Sequence, residues 1–324
     1  MKSLMYHYIR DDSEDFPFSA HKRTDEFIDE VGCMKKIGFT FSNPTDAISH
    51  SRTNGIDCAD EKVIILTFDD GLKDHLTAAK LLKSNGISCG GFYIPTLPYT
   101  DGAILAVHKA QYIRSRFGGK SLMLLEDASS ALGINLINHN KYTRLKEEFK
   151  GSYSSQLDDD NTKEFKRLIN YYGDLSLRDV LLDKILETSG LSVSFQDVYL
   201  SKAEILEISQ MGFEIGSHGS THTPLSRLSP DQQRFELLSS KVFLQDLIGK
   251  EIHSFCYPYG GKSSYNVSTL ELLQEIGYKN AISEEPREIS DQDLANFKFE
   301  IPRYDCNMIS SLFSPPAWID PAYR

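Results

Sequence analysis

The sequence predicts an α/β protein, a parallel sheet wrapped by helices and closing as a barrel, with a largely helical insertion at about residues 100–198. Three observations carry that reading. Short apolar runs alternate with amphipathic stretches along most of the 324-residue chain, the pattern of strands linked by crossover helices. The run Val63-Ile64-Ile65-Leu66 has no polar alternation, as expected of a strand buried on both faces of a parallel sheet. From Tyr99 to about Val198 the texture changes to charge-rich helical periodicity, including Asp158-Asp159-Asp160-Asn161, and reads as a segment inserted between strands that caps or flanks a site. Residues 1–324 thus read as one domain with one insertion.

Taken in order, Ser3 to Tyr8 is the first expected strand. Asp25 to Lys36 is a helix with Phe27, Ile28, Val31 and Met34 on one face, ended by Gly38. Val63 to Phe68 is the next strong strand. A helix from Lys73 to Ser84 carries Leu76, Ala79, Leu81 and Leu82 and stops at Asn85-Gly86, after which Ile87 to Ile94 runs as a strand ended by Pro95. Beyond the insertion, Ser201 with Glu204 three residues on forms a capping box for a helix to Met211, closed by Gly212. Strand Phe213 to Ser217, helix Gln232 to Ile248, strand His253 to Tyr257, helix Val267 to Ile276 and strands Asn280 to Ser283 and Phe299 to Arg303 complete the order. The tail from Ser314 to Ile319 reads as an irregular segment packing Trp318, the single tryptophan, on the body.

Composition narrows the function classes. A hydrophobic content of 40% supplies ample core. A net charge of −11 without a basic block argues against nucleic acid or an anionic membrane as partner and favours small or neutral substrates. The first ten residues run into Asp11, Asp12, Glu14 and Asp15 without an apolar core, so no signal peptide is expected, and no apolar span is long enough for a membrane helix. Five cysteines, odd in number and without a C-x-x-C pair, suit free thiols in a reducing compartment, and the cytoplasm is the expected location.

Chemistry concentrates in two motifs. Thr67-Phe68-Asp69-Asp70-Gly71 places two carboxylates at a strand's C-terminal end, where Gly71 lets the backbone swing so that both face one cavity. His218-Gly219-Ser220-Thr221-His222 follows another expected strand. Two neutral imidazoles and a carboxylate leave open positions on a divalent ion, a common catalytic zinc arrangement, while a second, free carboxylate can take a proton from water. Each motif alone has a plainer reading, the Asp pair as a helix N-cap and the histidine pair as surface residues.

Together these motifs resemble the polysaccharide deacetylase family, carbohydrate esterase family 4, over roughly residues 1–100 and 200–310, and most resemble its permuted poly-N-acetylglucosamine deacetylase branch. The resemblance implies a distorted (β/α) barrel of six or seven parallel strands. It also implies Asp69 as general base and Asp70, His218 and His222 as ligands of a divalent metal, zinc first and cobalt, nickel or manganese as alternatives. Phe255-Cys256-Tyr257-Pro258-Tyr259-Gly260-Gly261 stands where the family has a cleft wall near R-P-P-Y-G. Pro258 and Tyr259 match, so Tyr259 is the implied wall and oxyanion residue, but Cys256 replaces the arginine that touches the base. No histidine follows His253, where the family has its general acid. In the permuted branch a Tyr-His pair in the first strand takes that role, which points to His7 in Tyr6-His7, close to the last strand once a barrel closes. Arg303 is a candidate to replace the missing arginine beside Asp69, or else a surface ion-pair residue, and Asp305 a candidate to orient His7.

The expected activity is removal of the N-acetyl group from an acetamido sugar or glycan, in bacterial surface polysaccharide or glycolipid biosynthesis. The alternatives are hydrolysis of another non-peptide C–N amide and a catalytically silent carbohydrate-binding relative. His75 on the helix after the Asp pair, His108 and His139 in the insertion, and His21 and His50 in polar loops are expected to be solvated.

Overall fold

The computed structural model describes residues 1–54, 62–134, 139–153 and 158–313. Cys58 and the Trp318 segment lie outside these residues, and the side chains of His50 and His139 are likewise outside the description. The strands are β1 Lys2–Tyr6, β2 Thr40–Phe41, β3 Val63–Phe68, β4 Gly91–Ile94, β5 Glu214–Ser217, β6 Ser254–Cys256, β7 Asn280–Ile282 and β8 Tyr304–Asp305. Seven form one row in the order β7-β6-β5-β4-β3-β1-β8, with β2 beside the start of β3. All pairings are parallel. The two ends of the row are stitched by one segment. Ala281 N–H donates to Lys298 O (2.9 Å), Ile301 bridges Ile282, and Tyr304 and Asp305 then pair with Leu4 and Met5 of β1. The result is the distorted (β/α) barrel that the sequence predicts.

Strand alternation sorts the side chains. Leu4, Tyr6, Ile64, Leu66, Phe68, Phe92, Ile94, Ile215, Phe255, Ala281 and Tyr304 face the helices and join the main core, where the Phe68 and Phe92 rings stack at 4.4 Å. Met1, Ile65, Tyr93, Cys256, Ile282 and Ile301 have the opposite parity and pack inside the barrel. Tyr93 fills that interior so closely that a Cβ on Gly216 would come within 2.3 Å of its ring. Continuing the inner parity past the strand ends reaches His7, Asp69, His218 and Arg303. One face of one sheet therefore collects the candidate chemistry.

Several elements shift from expectation. The strand expected at Ile87 begins only at Gly91, because Gly90 at φ +140° breaks the extended run. The last strand lies at Tyr304–Asp305, with Ile301 as an isolated bridge, since Pro302 has no N–H to donate to a ladder. The helix expected from Lys73 starts at His75, and Lys73 N–H donates to Val198 O at 2.8 Å. The helices Pro44–Asn54 and Asp291–Asn296 were not expected. Their residues Ala47, Ile48 and Leu294 join the inner cluster.

Between β4 and β5 the described residues are largely helical. Helices Ala106–Phe117, Ser121–Leu132 and Leu175–Thr188 with a π turn at Leu168–Tyr172 build a separate core around Ile113, Leu125, Phe165, Leu181 and Ile185. Tyr259 packs against that second core.

Candidate active site

Asp69 extends the β3 ladder, its N–H donating to Tyr6 O at 3.0 Å, and its side chain points into the barrel. There Arg303 meets it with both terminal nitrogens, Nη1 to Oδ1 at 2.8 Å and Nη2 to Oδ2. Thr67 Oγ1 accepts a further bond from Nη1 (3.0 Å) and itself donates to Leu4 O (2.8 Å), so the arginine is braced by the strand that carries its partner. Cys256 lies alongside, its sulfur 3.0 Å from Nη2 and 3.4 Å from Asp69 Oδ2. Burial by itself would raise the Asp69 carboxyl, but the Arg303 charge and hydrogen bonds outweigh it and hold the group down at about 2. An arginine from the closing segment thus stands beside Asp69 and against the Cys256 sulfur, and is no surface ion-pair residue.

Asp70 adopts φ +79° and Gly71 φ +61°, so the chain turns left-handed one residue before the glycine expected to supply the swing. The Asp70 carboxylate lands between two imidazoles, with Oδ1 3.3 Å from His218 Nε2 and 3.0 Å from His222 Nε2. These three side chains are buried and offer ligand atoms within 4.8 Å of one another. His218 Nδ1 is engaged with Cys256 O at 2.8 Å, which leaves Nε2 for a ligand, and Asp70 Oδ1 carries no hydrogen bond among the described residues. A divalent ion fits this donor set: one carboxylate oxygen and two imidazole nitrogens converge, and the oxygen has no other partner.

Burial opposes ionisation of Asp70, yet the surrounding histidines hold it well below the usual carboxylate range. The two imidazoles move apart. Burial holds His222 down at about 4, whereas His218 is raised despite its burial by the Cys256 side chain and by the Asp70 and Asp69 carboxylates. The loop between them is tied from outside. Glu236 accepts the N–H groups of Ser220 (2.7 Å) and Thr221 (2.9 Å) and the Thr221 hydroxyl (2.8 Å). Gly219 sits at φ +72°, where a Cβ would lie 3.1 Å from Glu236 Oε2, which accounts for glycine in the second place of the motif.

His7 follows β1 and stands at the rim, its side chain 40% exposed and its Nε2 4.0 Å from Asp70 Oδ2. Tyr259 adopts φ +67°, sets its ring 4.9 Å from that of His222, and donates its hydroxyl to Asn170 Oδ1 at 2.7 Å. The Tyr259 N–H has no partner among the described residues. Pro258 is buried behind Gly219. Of four non-glycine residues with positive φ among those described, Asp70, His222 and Tyr259 are three, a concentration of backbone strain typical of functional sites.

A family model described as polysaccharide deacetylase matches residues 184–281, the stretch that carries His218, His222 and Tyr259. Over that stretch the chain is similar to the polysaccharide deacetylase family. YxkH of Bacillus subtilis (strain 168), which bears a polysaccharide deacetylase name, is 31% identical over 88 residues, 27% of this chain and 30% of that protein. Among solved structures, the Streptococcus pyogenes deacetylase PplD in complex with acetate superposes with a TM-score of 0.57 at 18% identity, covering 94% of this chain and 91% of its own. IcaB from Ammonifex degensii gives 0.54 at 14% identity, covering 96% and 94%. At such identities these two neighbours speak for the fold.

Two histidines expected in solvent are buried. His75 lies beneath the rim with Nε2 3.0 Å from His7 O, and burial depresses it to about 4. His108, from the insertion, is 1% exposed, with Nδ1 2.6 Å from Tyr199 OH and Nε2 3.3 Å from Asp70 Oδ2. Both sit on helices that bury an apolar face, and helical spacing alone does not separate such positions from solvated ones. Asp305 does not serve His7 in the way expected, since its Oδ1 caps the turn that follows by accepting Asn307 N–H at 2.8 Å. Asn170 and Glu236, which hold the walls, went unnoticed in the sequence because neither lies in a motif. No helix among the described residues is long and apolar enough to cross a membrane.

Proposed function

We propose that this chain removes the acetyl group from an acetamido sugar by hydrolysis, with a divalent metal, zinc in the first place, held by Asp70, His218 and His222. The observation that carries the reading is the placement of an arginine-clamped carboxylate, Asp69, directly beside a carboxylate faced by two imidazoles, at one end of a barrel. The metal would lower the pKa of water and polarise the acetamide carbonyl. Asp69 stays ionised through the neutral range and accepts the proton of the attacking water, while Arg303 fixes its orientation and keeps it from turning toward the metal. The Tyr259 N–H, held outward by the left-handed backbone and by the bond to Asn170, donates to the carbonyl oxygen as it becomes negative. His7, part exposed at the rim, donates a proton to the departing amine, so acetate and a free amino sugar result.

The match of residues 184–281 to a polysaccharide deacetylase model favours an acetylated glycan over other amides as substrate. The test is acetate release from short N-acetylglucosamine oligomers by chelator-treated protein, with and without added zinc, cobalt, nickel or manganese. Metal-dependent acetate with equimolar free amine is expected. Turnover of ureides or cyclic imides without any sugar deacetylation would favour the other amide reading, and sugar binding without turnover the silent one.

A further inference from the structure

The insertion contributes a side chain to the candidate metal centre. His108 on helix Ala106–Phe117 is among the most buried polar residues, and its Nε2 has no full hydrogen-bond partner among the described residues. That nitrogen stands 3.3 Å from Asp70 Oδ2, within ion-pair reach but outside the geometry of a full hydrogen bond. Asp70 Oδ1 faces His218 and His222, so the two oxygens of this carboxylate look in different directions. His108 falls outside the group of ligand atoms lying within 4.8 Å of one another. Nitrogens sharing a tetrahedral zinc lie about 3.3 Å apart, given zinc–nitrogen bonds of about 2.05 Å. His108 is therefore not a further ligand in this arrangement.

The tautomer follows from its other neighbour. Tyr199 OH accepts the Leu105 N–H at 3.0 Å and lies 2.6 Å from His108 Nδ1. With one lone pair taken and no other acceptor beside it, the phenol satisfies both groups by donating its proton to Nδ1. The ring proton then resides on Nε2, aimed at Asp70 Oδ2. Tyr199 is itself fastened to the loop it serves. Leu72 and Tyr199 form an antiparallel bridge, Leu200 N–H donates to Gly71 O at 3.0 Å, and Lys73 N–H donates to Val198 O at 2.8 Å.

We infer that His108, oriented by Tyr199, is a positioning residue that holds Asp70 Oδ2 so that Oδ1 is presented to the metal. Asp70 sits in a left-handed backbone conformation that L side chains rarely adopt, and a partner on the outer oxygen fixes the carboxylate plane that this backbone leaves open. The inference rests on the metal reading proposed above. Loss of such an outer partner typically costs about 10- to 100-fold in metal affinity.

The experiment measures zinc affinity without substrate, by competition with a chromophoric chelator, for the wild type, His108→Leu, His108→Gln and Tyr199→Phe, together with kcat, KM and thermal midpoint. Expected are a zinc affinity about 10- to 100-fold weaker in His108→Leu, a smaller loss in Tyr199→Phe, and recovery of most of the affinity in His108→Gln, whose amide can donate from a similar place. KM for the acetylated sugar stays within about two-fold while kcat at limiting zinc falls. A folded His108→Leu protein with zinc affinity unchanged or tightened overturns the inference. So does a raised KM at unchanged zinc affinity, which would make His108 a substrate contact. If His108→Leu does not fold, unchanged affinity in Tyr199→Phe overturns it equally. A wild type that binds no zinc removes the metal reading itself, and this inference with it.

Discussion

Arg303 and Asp69 lie 234 positions apart and form a two-pronged, fully buried ion pair inside the barrel. The pair joins the closing segment to the strand that carries the Asp-Asp motif, so closure of the fold and assembly of the site are one event. Removing one partner of a buried pair strands the other charge, at a cost of about 3–5 kcal/mol. Arg303→Met should lower stability by about that amount, with much of the loss returned by adding Asp69→Leu. Chemical unfolding of the single and double variants checks this, and a single-variant loss under about 1 kcal/mol would show the arginine to be dispensable for the fold.

The adjacent carboxylates should separate by assay. Asp69→Asn keeps the three ligand atoms and should retain bound metal while kcat drops by about two to four orders of magnitude. Asp70→Ala removes a ligand and should lose the metal with the activity. Metal analysis beside turnover distinguishes them, and undiminished metal in Asp70→Ala or His222→Ala would remove the proposed ligand set.

His7→Ala should keep metal and fold, because its side chain is part exposed at the rim. Its turnover loss should be large on an acetamide and milder on an acetate ester, since an alkoxide leaves without the proton an amine requires. Equal losses on both substrates would move the acid role to another group.

His75 makes a prediction about stability and pH. The unfolded imidazole takes its proton near 6.5, while burial holds the folded ring down to about 4. Between those values the unfolded chain binds the extra proton, so stability is full above about pH 6.5 and falls as the pH drops toward 4. The loss attributable to this residue is up to about 3 kcal/mol. His75→Gln should flatten that part of the profile, read from denaturant midpoints across pH 4–7, and curves that run parallel would assign the acid sensitivity elsewhere.

Much of the architecture was legible because it depends on local pattern. Val63–Phe68 and Val267–Ile276 begin and end where apolar runs, caps and glycine place them. The Asp pair and the two histidines four apart mark their own strand ends. Gly219 was visible as a departure from the motif, and its left-handed backbone against Glu236 explains it. Pro302 was equally visible, yet its consequence, a ladder that skips to Tyr304, follows from which strand lies beside it.

By itself the sequence determined the parallel strands, the helices that wrap them and the residue types at two strand ends, since periodicity of two or of 3.6 is written into neighbouring positions. Tertiary structure alone decided that Arg303 reaches Asp69, that His75 lies beneath His7, and that His108 comes from the insertion to face Asp70. Each of these depends on where a distant segment crosses the barrel. Burial and charge pairing are properties of that crossing, which no local pattern encodes.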